Sequence, residues 1–312
     1  YAFIKNPRIN SKGLDTSAIL GFTNSLLDVI KREQPDHLAV CFDKGGSSDR
    51  LEIFPDYKAN RDETPEGIKL AVPYIYKLLE AMNIPAIVKE GYEADDIIGT
   101  LAKKAEKDGY QTFMVTPDKD FAQLVSANIF MYRPMFGGGY ETWGVDEVKA
   151  KFEVEDPKQV IDFLGMKGDT VDNIPGLPGV GDKTAKKFIN MYGSMEGLIE
   201  NIHELKGKMK EKVEANAELG LISKKLATIL LNVPVEFNAQ NFEMETPDLE
   251  KVNAIFQELE FRRLAESFKK TFSVQTNEIN LNATGNEKNP ETPQKSPAAG
   301  SGQFSLFDSP DQ

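Results

Sequence analysis

An α/β half followed by an all-α half is the architecture that this sequence predicts. Three observations carry it. Over residues 1–150, short apolar runs alternate with stretches of helical periodicity at βαβ spacing. Over residues 145–272 helical periodicity dominates, and from Ser273 onward neither pattern survives. Alternation of the first kind builds a mainly parallel sheet flanked by helices. The 312 residues suit two domains of about 150 each, and 40% apolar side chains supply a sizeable core.

The elements follow in order. Apolar runs at His37–Phe42, Pro85–Val88, Thr112–Val115 and Ile129–Tyr132 predict strands. Helical periodicity over Ala18–Lys31, Ile68–Met82 and Ala94–Lys107, with a weaker stretch near Phe121, predicts the helices between them. The second half predicts helices near 145–166, 183–192, 195–202, 206–231 and 248–270, with one strand at Pro234–Phe237. Residues 44–67 fit neither pattern: a polar segment carrying Arg50, Lys58 and Arg61 interrupts a strand-to-helix connection. A loop of that length is either a functional lid or a solvated insertion. From Ser273 to Gln312 the chain holds five Asn, four Pro and five Ser, and two Lys against five acids. That composition reads as a disordered tail, so the folded part is expected to end near Phe272.

Composition excludes several function classes. Thirty-seven basic against 49 acidic residues leave −12, which argues against a generic electrostatic binder of nucleic acid. The single Cys41 excludes an internal disulfide and a multi-thiolate zinc site. Two histidines, His37 and His203, leave little room for imidazole chemistry. No apolar run reaches the roughly 18 residues of a membrane span. The chain starts at Tyr1 with neither Met nor a signal peptide, and a cytoplasmic fragment is the expectation.

The carboxylates are informative by placement. Asp43 follows the first apolar run directly; Glu93, Asp95 and Asp96 open a helix after the second; Asp118 and Asp120 follow the third. Ligands of an open parallel sheet bind at the carboxyl ends of its strands. Six acids delivered to one edge would repel, and hard divalent cations, Mg²⁺ or Mn²⁺, would neutralise them. Each cluster also has a plain structural account. Acids in a first helical turn favour the helix dipole, Glu93 and Asp96 share a helix face, and Asp118 suits a turn. Asp169 and Asp172 in GDTVDN read alone as a helix C-terminal turn.

The stretch Gly176–Ala185, GLPGVGDKTA, is neither a dinucleotide fingerprint nor a P-loop. It lacks a third glycine, no strand leads in, and Asp182 separates Gly181 from Lys183, which speaks against a nucleotide switch protein. It fits a helix–hairpin–helix turn. Gly179 and Gly181 make the turn, Ala185 permits close packing, and the amides opening the next helix, with Lys183, face a phosphate. A mere connecting turn is the other account. From Asp182 to Lys225, nine lysines, Lys186 and Lys187 among them, stand against seven acids.

Taken together, FD at 42–43, GYEADDIIGTLA at 91–102, TPDKDFAQLV at 116–125 and MKGDTVDNIPGLPGVGDKTA at 166–185 resemble the 5′ nuclease domain of bacterial DNA polymerase I, of the flap-endonuclease-like family. The likeness covers about residues 1–272. It implies a PIN/flap-nuclease-like core over 1–150 with a basic arch loop at 44–67, a helical DNA-binding subdomain over 151–272 with its hairpin at 176–185, and a linker over 273–312. It implies two divalent cations. Asp43, Glu93, Asp95 and Asp96 would be their ligands on one side, and Asp118, Asp120, Asp169 and Asp172 on the other. Lys58 and Arg61 would contact the scissile phosphate, Arg50 and Tyr57 would lie near the threaded strand, and K⁺ would sit at the hairpin. The activity implied is 5′-3′ exonuclease and flap endonuclease action on DNA flaps, nicks and RNA-primed ends, in replication and repair, beside polymerase domains of one full-length chain in the bacterial cytoplasm.

The family's first strand, with a metal-binding Asp, would precede Tyr1, so the sequence as given is expected to be impaired. A non-catalytic DNA-binding module that positions a polymerase is the alternative. Gln303–Phe307, QFSLF, looks like the short motif that docks on the bacterial sliding clamp; an unremarkable linker is the competing account.

Overall fold

The computed structural model describes residues 6–135 and 138–283, with side chains as far as Phe272. By its contacts the chain forms two compact units that cut across its order. Of the described residues, one gathers 6–40, Glu63–Ala86 and 238–283; the other takes Cys41–Asp62 and Ile87–Phe237.

The first unit is helical. It contains α1 (Ser17–Glu33), α3 (Glu66–Ala81), α11 (Leu249–Glu258) and α12 (Arg262–Ala283). Each amphipathic helix turns its apolar stripe inward: Ile19, Ile30, Leu78, Leu79, Val252 and Phe256 are buried. Phe256 meets Phe268 edge-on at 5.6 Å between centroids.

Strands β1 (Val40–Phe42) and β2 (Ala86–Val88) pair with each other, and in both the chain passes from the first unit to the second. The predicted strand from His37 is trimmed to these three residues. Upstream, the Leu38 N–H donates to the Phe242 carbonyl at 2.7 Å instead of joining a ladder.

The second unit starts with α2 (Ser48–Ile53), which converts part of the expected 44–67 loop into helix; the Ser47 side chain accepts from the Arg50 N–H as its cap. Then come α4 (Ala94–Lys107), β3 (Thr112–Val115), a 3₁₀ turn at Lys119–Leu124, β4 (Ile129–Pro134) and β5 (Tyr140–Trp143). β3 and β4 are parallel, Thr112 opposite Ile129, whereas β4 and β5 are antiparallel, Met131 opposite Trp143. The expected sheet takes the form of two small sheets, one of them mixed. A short glycine-rich connection after Met135 can close only an antiparallel hairpin, since a parallel return needs a crossover of a dozen residues.

Helices α5 (Val145–Phe152), α6 (Gln159–Lys167), α7 (Asp182–Tyr192), α8 (Met195–Glu200), α9 (Gly207–Ala215) and α10 (Ala217–Ala227) complete this unit. Its core runs from Met114, Met131 and Trp143 to Phe163, Met166 and Ile189. The lone α6 Gly165 admits α10: a Cβ there would lie 2.7 Å from the Lys224 Cα.

One further expectation is corrected. Pro234–Phe237 is not a strand; Pro lacks a ladder donor, the Val235 N–H bonds locally to the Val233 carbonyl, and the Val235 carbonyl accepts from Lys104. Helix α12 runs on past Phe272 to Ala283. Gln303–Phe307 lies outside the described residues. Among those described, no helix is long and apolar enough to cross a membrane.

Candidate metal centre

The site is built on the N-terminus of α4 and lies wholly in the second unit. Four N–H groups at a helix start have no helical partner, and here acids take them. Asp43, next after β1, accepts from the Ala94 N–H at 2.7 Å; the Asp95 carboxylate accepts from the Asp96 N–H at 2.7 Å; Asp96 accepts from the Glu93 N–H at 3.3 Å. Carboxylate oxygens of Glu93, Asp95 and Asp96 lie within 4.8 Å of one another, with Glu93 and Asp96 buried.

Cations hold this group together from below. Arg50 is 3% exposed. It donates to Asp96 through both terminal nitrogens at 2.8 Å, to Glu93 at 3.1 Å, and to the Leu226 and Thr228 carbonyls at 3.0 and 2.8 Å. Tyr57, also buried, donates to Glu93 at 3.1 Å, and Lys58 donates to the other Glu93 oxygen at 2.5 Å. Arg50 and Tyr57 are therefore corrected as strand contacts. The sheltered carboxylates draw both inward, because a buried charge requires a paired one.

The second group forms around the loop after α6. Asp118 caps the 3₁₀ turn through the Asp120 N–H at 3.0 Å, and Asp169 accepts from the Val171 N–H at 2.7 Å. Burial pushes the Asp120 carboxyl up to about 7; Asp118 and Asp169 push the same way, Lys119 opposes, and Asp172 adds to the rise. The two groups share a partner. Lys58 Nζ reaches Asp172 at 3.6 Å as well as Glu93, and Arg61 Nε donates to Asp172 at 3.0 Å. Backbone contacts clamp the segment in place. Lys58, with φ of 58°, donates its N–H to the Asp172 carbonyl at 2.9 Å, and Asn60 and Asn173 each bond across to the opposite loop.

Asp95 is likewise pushed up to about 7, chiefly by burial, then by Asp96, with Arg50 opposing, Glu93 adding and Lys58 opposing. Asp120 Oδ1 is buried and accepts no hydrogen bond. An all-carboxylate donor set, two acids pushed up by burial and then by like charge, and one orphaned buried oxygen fit a hard divalent cation.

The hairpin after α6 takes the expected shape. Gly179 adopts φ of 85°, Gly181 caps α7, and Ala185 is fully buried. Two glycines flanking this loop, not singled out from sequence, are also tight. A Cβ on Gly168 would lie 2.5 Å from the Ile174 carbonyl oxygen, and one on Gly176 would lie 2.6 Å from the Gly168 nitrogen. Lys183 and Lys187 face solvent, whereas Lys186 is tied to Glu153 at 3.1 Å and Asp182 at 3.6 Å. The Arg50 role also escaped sequence reasoning; Asn60 and Asn173 gave no signal beyond their abundance in turns.

Carboxylates converging from strand ends onto a helix start, followed by a helical hairpin, define the class of metal-dependent nuclease folds. The chain belongs to the 5′-3′ exonuclease family. The model of that family's N-terminal resolvase-like domain matches residues 1–153, and that of its C-terminal SAM fold matches 155–250. It is 36% identical over 270 residues to a 5′-3′ exonuclease of Aquifex aeolicus, covering 86% of this chain and 91% of the relative. It is 41% identical over 268 residues to DNA polymerase I of Bacillus subtilis, covering 85% of this chain and 30% of the relative. The chain thus spans about a third of the length of the polymerase relatives. Among solved structures, a bacteriophage T5 flap endonuclease in a pseudo-enzyme–product complex with DNA and metal ions superposes with a TM-score of 0.60 at 20% identity, over 87% of this chain and 96% of that one.

Proposed function

We propose that this chain is a divalent-metal-dependent 5′-3′ exonuclease and flap endonuclease, hydrolysing phosphodiesters at 5′ ends of branched or nicked DNA. The observation that supports this is the cluster of Glu93, Asp95 and Asp96 oxygens within 4.8 Å of one another at the start of α4, with Lys58 reaching both Glu93 and Asp172. Bound Mg²⁺ or Mn²⁺ would supply Lewis acidity and an activated water. Glu93, Asp95, Asp96 and Asp43 would hold it on one side, and Asp118, Asp120, Asp169 and Asp172 on the other. Lys58 and Arg61 place positive charge at the rim of the same pocket, where a phosphodiester gaining negative charge is stabilised electrostatically. Lys183, Lys187 and the amides of Gly179–Gly181 suit a duplex backbone, contacts that position without reading bases. K⁺ at the hairpin carbonyls, polymerase domains in the full-length chain, clamp docking through Gln303–Phe307 and a cytoplasmic, nucleoid-associated location complete the proposal.

The test is 5′-flap cleavage with Mg²⁺ by the full-length protein and by Asp43→Asn and Asp118→Asn. Undiminished cleavage by both variants removes the ligand assignment. A second reading rests on one observation: Arg50, Lys58 and Arg61 already neutralise Glu93, Asp96 and Asp172. It makes the chain a module that holds branched DNA without divalent ions and yields no product.

A further inference from the structure

Beside the carboxylate centre, the second unit carries an open cavity of about 400 Å³ lined by four cations, Lys119, Arg133, Lys151 and Lys186, against one carboxylate, Asp182. In a chain of net charge −12 that is an unusual concentration of positive groups. Lys186 is spent on Glu153 and Asp182, and Asp182 is further shared with Lys167 at 3.5 Å. Arg133 is only partly spent. It donates to the Pro117 carbonyl at 2.9 Å, lies 3.6 Å from Glu141, and stacks 3.9 Å from the centre of Trp143. Its Nε is buried and donates to nothing. Among the described residues neither Lys119 nor Lys151 has a carboxylate in ion-pair range; the Lys151 ammonium stands 5.3 Å from the Trp143 ring. Two ammonium groups outside ion-pair range of any carboxylate and the Arg133 guanidinium therefore line the same space. An anion there would form charge-assisted bonds with all three.

We propose that this cavity is a second, separate phosphate site that takes the phosphate group of a nucleotide, with Lys119, Lys151 and the Arg133 guanidinium as its donors. Its volume lies in the range of small-molecule pockets, which begin at about 300 Å³. Trp143 is 3% exposed and already covered by Arg133, so no ring face is open for a base; recognition is by charge and independent of base identity. Lys119 stands between Asp118 and Asp120 in the chain, so the cavity adjoins the carboxylate centre. The nuclease reading supplies the nature of the ligand, but binding here needs no divalent ion. The phosphate comes either from a free nucleoside monophosphate or from the 5′ terminus of a strand.

Calorimetric titration of the full chain in EDTA separates these sources. The probes are dAMP, deoxyadenosine, and a short thymidylate oligonucleotide with either a 5′-phosphate or a 5′-hydroxyl. At least one phosphate-bearing probe should bind more tightly than its phosphate-free counterpart. Lys151→Glu should weaken that binding by about tenfold or more, while Lys107→Glu on α4 should leave it unchanged. Binding of dAMP identifies a free mononucleotide; binding of the 5′-phosphorylated strand alone identifies a strand terminus. Equal affinity with and without the phosphate, no binding of either phosphate probe, or indifference to Lys151→Glu overturns the proposal. Lys151 is exposed, so an unchanged melting curve verifies that the variant folds. Loss of the nuclease reading would leave this metal-free binding untouched.

Discussion

Replacing Arg50 by Met should be among the most damaging single changes in the second unit. The guanidinium makes five hydrogen bonds, and its side chain and the Glu93 and Asp96 side chains are each at most 4% exposed. Methionine fills much of the same volume, so little of the cost is a cavity. What remains is Asp96 stripped of its counter-charge, Glu93 left with Lys58 alone, and two carbonyls stripped of a donor. Breaking a buried pair from one side costs about 3–5 kcal/mol. For a unit of this size each kcal/mol moves the midpoint by about 2–4 °C, so thermal denaturation in EDTA should show a fall of roughly 6–20 °C. Arg50→Met combined with Asp96→Leu should cost less than the two single changes added together, because the combination leaves fewer unpaired charges. Added Mg²⁺ should restore Arg50→Met by more than it raises the parent, since a cation can occupy the emptied counter-charge role. A loss below about 1 kcal/mol, or strict additivity in the double variant, would refute the view that Arg50 neutralises the carboxylates from within.

Other outcomes follow from the same geometry. Asp95 and Asp120 ionise near pH 7 instead of the usual 3.8, so the native metal-free protein holds protons that the unfolded chain has released between those values. Stability in EDTA should therefore fall as pH rises from about 4 through 7, and Asp120→Asn should flatten that slope in a urea series. Protons must leave before a cation binds, so Mg²⁺ should raise the melting temperature more at pH 8 than at pH 6, as scanning calorimetry would show. Gly176→Ala meets the backbone of Gly168 and Lys167 at a φ of 66° and should cost about 2–4 kcal/mol by urea denaturation. Lys183→Ala should weaken binding to duplexes of any sequence alike and lower the salt dependence by about one ion, measured by fluorescence anisotropy across salt concentrations.

Local rules made much of this architecture legible. α4 and β3 fall on the bounds that their periodicity predicts, because α4 has one apolar face and β3 is a short apolar run ended by a turn. The strand-end acids were visible for the same reason. What sequence could not supply was partnership. Arg50 sits in a polar stretch that looks like a solvated loop, and only the folded chain shows that three carboxylate-bearing neighbours and two carbonyls meet there. The pairing of β5 was hidden behind a glycine-rich connection, and Pro234–Phe237 imitated a strand through composition while lacking an edge to join. Gly168 and Gly176 were unremarkable until each proved to face the other's backbone.

The interleaving of the two units has a consequence for synthesis. The described residues of the carboxylate-bearing unit have all been translated once Phe237 emerges, whereas the helical unit still awaits α11 and α12. Domains close as units during translation. The catalytic framework can thus settle on the ribosome while α1 and α3 wait with their apolar stripes uncovered, and a chain halted between Phe237 and Leu249 would carry a finished pocket beside an unfinished neighbour.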